Sequence, residues 1–291
     1  MNASFPPKIP FVGVGLRHAH FSDALAGSSA VDFVEIHSEN FFAEGGALHQ
    51  IITDIAQVYP VSMHSTAMGL ASMSGIPEQY LVKLEQLSQV VNPILMSDHA
   101  CFAWGQVKDQ FVHAGDLLPI VYDEATLEQM SQHVSAFQQR FGRRLLIENL
   151  SAYIALPGST MTEKEFLLAL VERTQCGLLI DLNNILVNEH NSGAEQPLTQ
   201  AKKWLEDIPE KAVGEIHLAG FTAPVQGDLA VDDHSQPVSD ECWALFHHAI
   251  EQFGAVPTLI EWDNQIPTWQ TLEKEAEKAK AIIKQVLGHD E

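Results

Sequence analysis

A chain of 291 residues, 46% of them hydrophobic, can bury one large core and needs no second domain. Its 16 Lys and Arg stand against 38 Asp and Glu, a formal net charge of −22. That excludes a nucleic-acid partner held by phosphate neutralisation, unless bound cations invert the local field. The opening MNASFPPKIP lacks the basic start and apolar run of a secretion signal, and no later apolar run is long enough to cross a bilayer. A cytoplasmic protein without membrane contact is therefore expected. Cys101, Cys176 and Cys242 are odd in number and lack CxxC spacing, which argues against disulfides and zinc–thiolate knots and for small buried hydrophobes.

In chain order, short β-type runs alternate with longer amphipathic segments. The predicted strands are 11–17, 32–38, 61–65, 93–99, 143–150, 177–184, 213–219 and 257–263. Between them, Leu48-Ile51-Ile52-Ile55, Leu81-Leu84-Leu87-Val90-Val91 and Leu245-Phe246-Ala249-Ile250-Phe253 carry helical spacing, and a Glu-, Lys- and Ala-rich segment opens after Pro267. Eight β-α units without a linker predict a (β/α)8 TIM barrel, one domain spanning 1–291. Two long connections, 100–121 and 221–239, are expected to wall the barrel mouth.

Polar residues gather where these runs end. They are His64-Ser65, Asp98-His99, Glu148-Asn149, Asp181 with Asn184, His217 and Glu261-Trp262-Asp263, with Arg17-His18 and Glu39-Asn40 earlier and Asp232-Asp233-His234 beyond the seventh strand. C-terminal strand ends face the site of a TIM barrel, so the cluster reads as a site at one rim. A single histidine there is usually a hydrogen-bonded cap. Glu148 inside the apolar run Leu146-Ile147 tells more, because a buried carboxylate needs a cation. Arg17 is one candidate, but basic residues are too few for the whole rim, and metal ions neutralise it more simply.

Imidazoles with carboxylates and no thiolate suit iron, manganese or zinc rather than magnesium or calcium. The donors exceed the needs of one ion, and Glu148 and Asp181 can bridge, so two or three metals are expected. Rival motifs are absent. Gly13-Val14-Gly15 lacks the remaining glycine of a dinucleotide fingerprint, and no Walker loop or G-x-S-x-G elbow occurs. Cys101 as a nucleophile beside His99 is disfavoured because near neighbours project differently.

The runs Val34-Glu35-Ile36 with Glu39-Asn40-Phe41, then SDHACFAW, LLIENLSAYI, GLLIDLNNILVNEHNSG, EIHLAG, DDHSQPVSDECWALF and TLIEWDNQIP resemble the multinuclear non-heme iron-dependent oxidative enzymes (the domain of unknown function 692 family). That family includes the catalytic subunit of methanobactin biosynthesis, and the resemblance covers nearly the whole chain. It implies a TIM barrel holding two or three irons, acting with dioxygen on a cysteine-containing precursor peptide that a partner protein presents. The resemblance implies metal ligation by His64, His99, Glu148, Asp181, Asn184, His217, Asp232, His234 and Glu261, with Glu148, Asp181 and His217 at the catalytic centre. It departs at Ser235, where relatives commonly carry glycine, and at Trp262, where many carry arginine. The same ligand types also admit a redox-neutral barrel enzyme of the sugar isomerase or endonuclease kind with zinc or manganese, and a non-catalytic metal-binding protein.

Overall fold

Each apolar run becomes a parallel strand because its branched residues alternate between two buried faces, one toward outer helices and one toward the barrel axis. In the computed structural model, which describes residues 11–43, 45–108, 110–224 and 228–288, the barrel strands are β1 (Val12–Gly15), β2 (Phe33–His37), β3 (Val61–His64) and β4 (Leu95–His99). After a two-stranded hairpin, β5 (Phe102–Val107) and β6 (Gln110–Leu118), come β7 (Leu146–Glu148), β8 (Gly177–Asp181) and β9 (Val213–Leu218). A second hairpin, β10 (Gly220–Thr222) and β11 (Val231–Gln236), precedes the last barrel strand, β12 (Thr258–Ile260). The eight close in the order β1-β12-β9-β8-β7-β4-β3-β2, all parallel, and β1 pairs with both β2 and β12. The opening segment searched for a secretion signal lies outside the described residues.

The outer helices follow the helical spacing. They are α1 (Phe21–Ala26), α2 (Gly46–Val58), α3 (Glu78–Val91), α4 (Glu124–Phe141), α5 (Glu163–Thr174), α6 (Leu182–Asn191), α7 (Pro197–Leu205), α8 (Asp240–Phe253) and α9 (Trp269–Leu287). Ile52 and Ile55 of α2, Leu84 and Leu87 of α3, and Phe246 and Ile250 of α8 are buried in the core between helices and strands. Among the described residues, no helix is long and apolar enough to cross a membrane.

The strands are shorter than expected, 143–150 reduced to Leu146–Glu148 and 257–263 to Thr258–Ile260, and two expectations change in kind. The sixth strand stops at Asp181, not Asn184, because the Asp181 carboxylate accepts the Asn184 N–H at 2.7 Å and so caps α6. Asn184 therefore projects from the first helical turn. The connection 100–121 holds the β5–β6 hairpin, antiparallel and separate from the barrel. The three cysteines are buried and unpaired, as their spacing suggested.

Toward the axis, side chains stack in storeys. Phe33, Leu95, Leu146, Leu179 and Leu259 form an apolar floor. Above it lie Glu35, Ser62, Ser97 and Glu215, all buried, and above those the strand-end histidines and carboxylates. The floor needs glycine beneath it, since a Cβ at Gly13 would sit 2.6 Å from three ring atoms of Phe33. A Gly13→Ala variant is expected to lose about 1–3 kcal/mol, read as a lower urea midpoint at unchanged slope, and Phe33→Leu in the same chain should restore part of it.

Candidate metal centre

At the C-terminal ends of the strands a cavity of about 390 Å³ opens, with His64, His99, Glu148, Asn184, His234 and Glu261 among its lining residues. Asp116, Leu117, Leu118 and Pro119, at the end of the β5–β6 hairpin, form one wall, so the first long connection stands where it was expected. Asp232 and Asp233 of β11 stand on another side.

The donors form sets that share members. His64, His99 and Glu148 make one; Glu148, Asp181 and His217 a second; Asp181, His234 and Glu261 a third; and in each the donor atoms lie within 4.8 Å of one another. The His64 and His99 Nε2 atoms stand 3.4 and 3.2 Å from Glu148 Oε2. Metal–donor bonds of about 2.0–2.2 Å place neighbouring donors of one ion roughly 3.0–3.5 Å apart, so this spacing suits a shared cation. Glu148 Oε2, Asp181 Oδ2 and Asn184 Oδ1 are buried without a hydrogen-bond partner. Such atoms are costly unless something positive faces them. The residues present therefore fit metal ions.

The outer atoms of the same side chains are tied down. His64 Nδ1 meets Ser97 Oγ at 2.8 Å, which turns Nε2 toward Glu148. The second Asp181 oxygen caps α6, and the Asn184 amide donates to the Asn149 carbonyl at 3.0 Å, which leaves its oxygen free. His217 Nδ1 lies 3.1 Å from Glu261 Oε2, while its Nε2 lies 3.6 Å from Glu35 Oε1. For His64, whose Nδ1 is held by a serine oxygen outside the donor sets, this is the usual support of a metal-binding histidine.

Protonation follows from burial and charge. Burial lifts the Glu148 carboxyl against the pull of His99 and His217, and burial likewise lifts Asp181 against His234. Burial alone would lower His99, but Glu148 and Asp98 raise it to about 9. Against the same burial penalty, Glu35 and Glu261 raise His217, and Asp232 and Glu261 raise His234. His64 is pushed well below the usual range by burial and by His99 and His217 beside it. Glu215, fully buried near Glu35, is pushed well up by burial and by that neighbour, and neither of its oxygens has a hydrogen-bond partner.

The Asp232–His234 pair meets through a left-handed residue within β11, not by regular strand alternation. His234 is held at φ 44°, and its carbonyl accepts the N–H of Asp263 at 2.9 Å and of Asn264 at 3.2 Å. A non-glycine residue in the left-handed region is uncommon and clusters at functional sites. His234 Nε2 lies 2.7 Å from Asp232 Oδ1 and its Nδ1 3.4 Å from Glu261 Oε2. Asp232 is further fixed by Asn183 and Ser151, each donating at 2.8 Å.

Several rim residues singled out in the sequence do other work. Arg17 does not pair with Glu148; its guanidinium binds Asp263, because Arg17 follows β1 and β1 neighbours β12. Glu39 accepts the N–H groups of Thr66 and Ala67, each at 2.9 Å, and so clamps the loop after β3. Asp98 accepts the Met68 N–H at 2.9 Å. Asp233, left aside on resemblance, accepts from Thr222 and Ser235 and ties β10 to β11. Sequence reasoning missed Glu35, His37 and Glu215. Their signal was a period of two, because Glu35–His37 and Glu215–His217 face the axis on β2 and β9 as Ser62–His64 does on β3.

Residues 11–284 match the family described as RiPP precursor modification enzyme MbnB/TglH/ChrH. The chain belongs to this family. Among its relatives, a UPF0276 protein of Chromobacterium violaceum is 40% identical over 271 residues, covering 93% of this chain and 94% of the relative. One from Vibrio vulnificus strain YJ016 is 39% identical over 283 residues, covering 97% and 94%. Solved structures of similar fold include endonuclease IV from Thermus thermophilus (TM-score 0.57, 15% identity, 97% of this chain and 100% of that one). Another is a xylose isomerase-like TIM barrel protein from Mycobacterium smegmatis in complex with magnesium (TM-score 0.59, 10% identity, 96% and 98%). At such low identity these likenesses speak to the barrel fold alone.

Neither position read in the sequence as a departure from the family, Ser235 or Trp262, belongs to the donor sets. Ser235 is buried and donates to Asp233 Oδ2 at 2.8 Å. Trp262 is buried in the core between strands and helices, whereas its neighbours Glu261 and Asp263 line the cavity.

Metal donors must be deprotonated, and the raised groups Glu148, Asp181, His99, His217 and His234 each give up a proton less readily than usual. The sign follows directly: affinity falls as pH drops below about 9, the value of His99, by roughly tenfold per unit for each proton displaced. Titrating metal-free protein with Mn²⁺ in weak buffer at pH 7 should release more than one proton per chain; binding without release would contradict this electrostatic picture.

Proposed function

We propose that this chain is an oxidase that uses two or three iron ions and dioxygen to modify a cysteine of a ribosomally made precursor peptide, which a partner protein presents. The observation that carries the reading is the sharing of carboxylates, Glu148 between the first and second donor sets and Asp181 between the second and third. Shared carboxylates suit a cluster, and imidazole–carboxylate donors without thiolate suit iron as they suit manganese or zinc. Membership of a precursor-modifying family supports the peptide as substrate.

In this reading His64, His99 and Glu148 hold one ion, Glu148, Asp181 and His217 a second, and Asp181, Asn184, His234 and Glu261, with Asp232 beside them, a third. Iron bound there would supply redox chemistry with dioxygen and a Lewis-acidic point that lowers the pKa of a substrate thiol. The protein supplies position. Leu117, Leu118, Pro119, Leu150 and Ile154 line the cavity with apolar surface against which a peptide backbone can seat and from which water is displaced. Asp116 and Asp233 line the same cavity and favour a peptide carrying Lys or Arg near its cysteine.

The test is anaerobic purification, metal analysis and oxygen uptake with a cysteine-bearing precursor peptide. Iron-loaded protein should consume oxygen, its ferrous form should bind nitric oxide, and Glu148→Gln should hold at least about tenfold less iron and lose oxygen uptake. Turnover without oxygen would favour the redox-neutral alternative. A ferrous form that refuses nitric oxide would favour metal storage, and a zinc-filled protein that stays inactive with iron and oxygen would overturn the proposal.

A further inference from the structure

One more donor set stands at the mouth and differs from the others. His37, Glu261 and Asp263 bring a ring nitrogen and two carboxylate oxygens within 4.8 Å of one another, but a cation of the chain already lies among them. Arg17 Nε donates to Asp263 Oδ1 at 2.9 Å, and Nη2 binds the same oxygen. Arg17 Nη2 also lies 3.8 Å from Glu261 Oε1 and 3.1 Å from His37 Nε2. Guanidinium has no acceptor, so a hydrogen bond between the two is accepted by the His37 Nε2 lone pair; the same Nε2 lies 3.8 Å from Glu261 Oε1. An imidazole nitrogen and two carboxylates gathered around one positive group are the surroundings a divalent ion takes. Here the positive group is covalent.

The chain makes room for it. Gly15 lies on β1 beside Glu35, and a Cβ there would approach Arg17 Nη1 to 3.1 Å. Arg17 Nη1 donates to the Leu16 carbonyl at 3.2 Å, so the head group is anchored on both sides, and its side chain is only 11% exposed. The split across the carboxylates is telling. Glu261 turns Oε1 to Arg17 and Oε2 to His217 and His234, while Asp263 turns Oδ1 to Arg17 and Oδ2 to His234 Nδ1 at 3.4 Å. One side of each acid thus faces the guanidinium and the other faces histidines of the neighbouring donor sets.

We propose that the Arg17 guanidinium is a built-in cation that closes the His37–Glu261–Asp263 set to metal, so that Arg17 sets how many ions the mouth holds. The inference rests on the reading that the neighbouring sets bind metal. Without Arg17, three donors would face one point with nothing between them, and a further divalent ion would take the place.

Metal counting tests this without any turnover. Metal-free wild-type protein and Arg17→Met are titrated with Mn²⁺, freed of excess by gel filtration and analysed for bound manganese. Arg17→Met should bind one equivalent more than wild type, and Arg17→Met with Asp263→Asn should return to the wild-type number. If Arg17→Met does not fold by circular dichroism, Arg17→Gln, neutral but still able to donate to Leu16, takes its place with the same expectation. Equal numbers in wild type and the charge-removed variant would overturn this inference alone, whereas a wild-type chain that binds no metal would overturn the reading beneath it.

Discussion

Carboxylates held out of water in the mouth of a barrel are the constraint from which the rest of this structure follows. Glu35, Glu148, Asp181, Glu215 and Glu261 are all buried, and an isolated carboxylate in such a place costs several kcal/mol. Among the described residues, Arg17 is the one Lys or Arg that forms an ion pair with an acid of the mouth, and it serves Asp263 and one edge of Glu261. The other acids meet histidines, which answer negative charge only while protonated. Cations reconcile both, since they need deprotonated imidazole and ionised carboxylate together. The free oxygens of Glu148, Asp181 and Asn184 are the places where that need is visible.

The fold delivers these groups by simple means. A period of two on each strand sends Val34 and Ile36 outward into the core under the helices and sends Phe33, Glu35 and His37 toward the axis, so the same strand carries floor, middle storey and rim. Asp181 ends its strand by capping a helix, which commits one carboxylate oxygen to structure and leaves the other to the site. His234 comes from outside the barrel altogether. Its left-handed backbone, locked by the N–H groups beyond β12, swings an imidazole from the β11 hairpin over Glu261.

Much of this was legible in the sequence, and the limits are physical. The eight strands announce themselves because branched apolar runs bounded by turn residues have few other stable uses, and His64, His99, Glu148 and His217 stand out as polar residues at the ends of such runs. Asn184 was placed on the wrong element because Leu-Ile-Asp-Leu-Asn-Asn-Ile-Leu reads equally as strand or helix until the Asp181 cap is seen. The 100–121 connection was rightly sent to the mouth, but its hairpin was not foreseen, since no Asn-Gly or Asp-Gly turn marks it. The partnership of Arg17 with Asp263 joins residues 246 positions apart and depends on barrel closure, which no local pattern encodes. Glu35 and Glu215 escaped notice because they sit mid-strand, where an axis-facing acid looks like any charge on a solvated face.

The proposal, then, is that cations hold the imidazoles and carboxylates of the mouth together. Diffraction from crystals of iron-loaded protein, recorded on either side of the iron absorption edge, tests this most directly. Anomalous peaks are expected within bonding distance of Glu148 Oε2 and of Asp181 Oδ2, with Glu148 or Asp181 shared between two of them. Histidines and carboxylates paired directly with one another, with no anomalous peak among them, would contradict it.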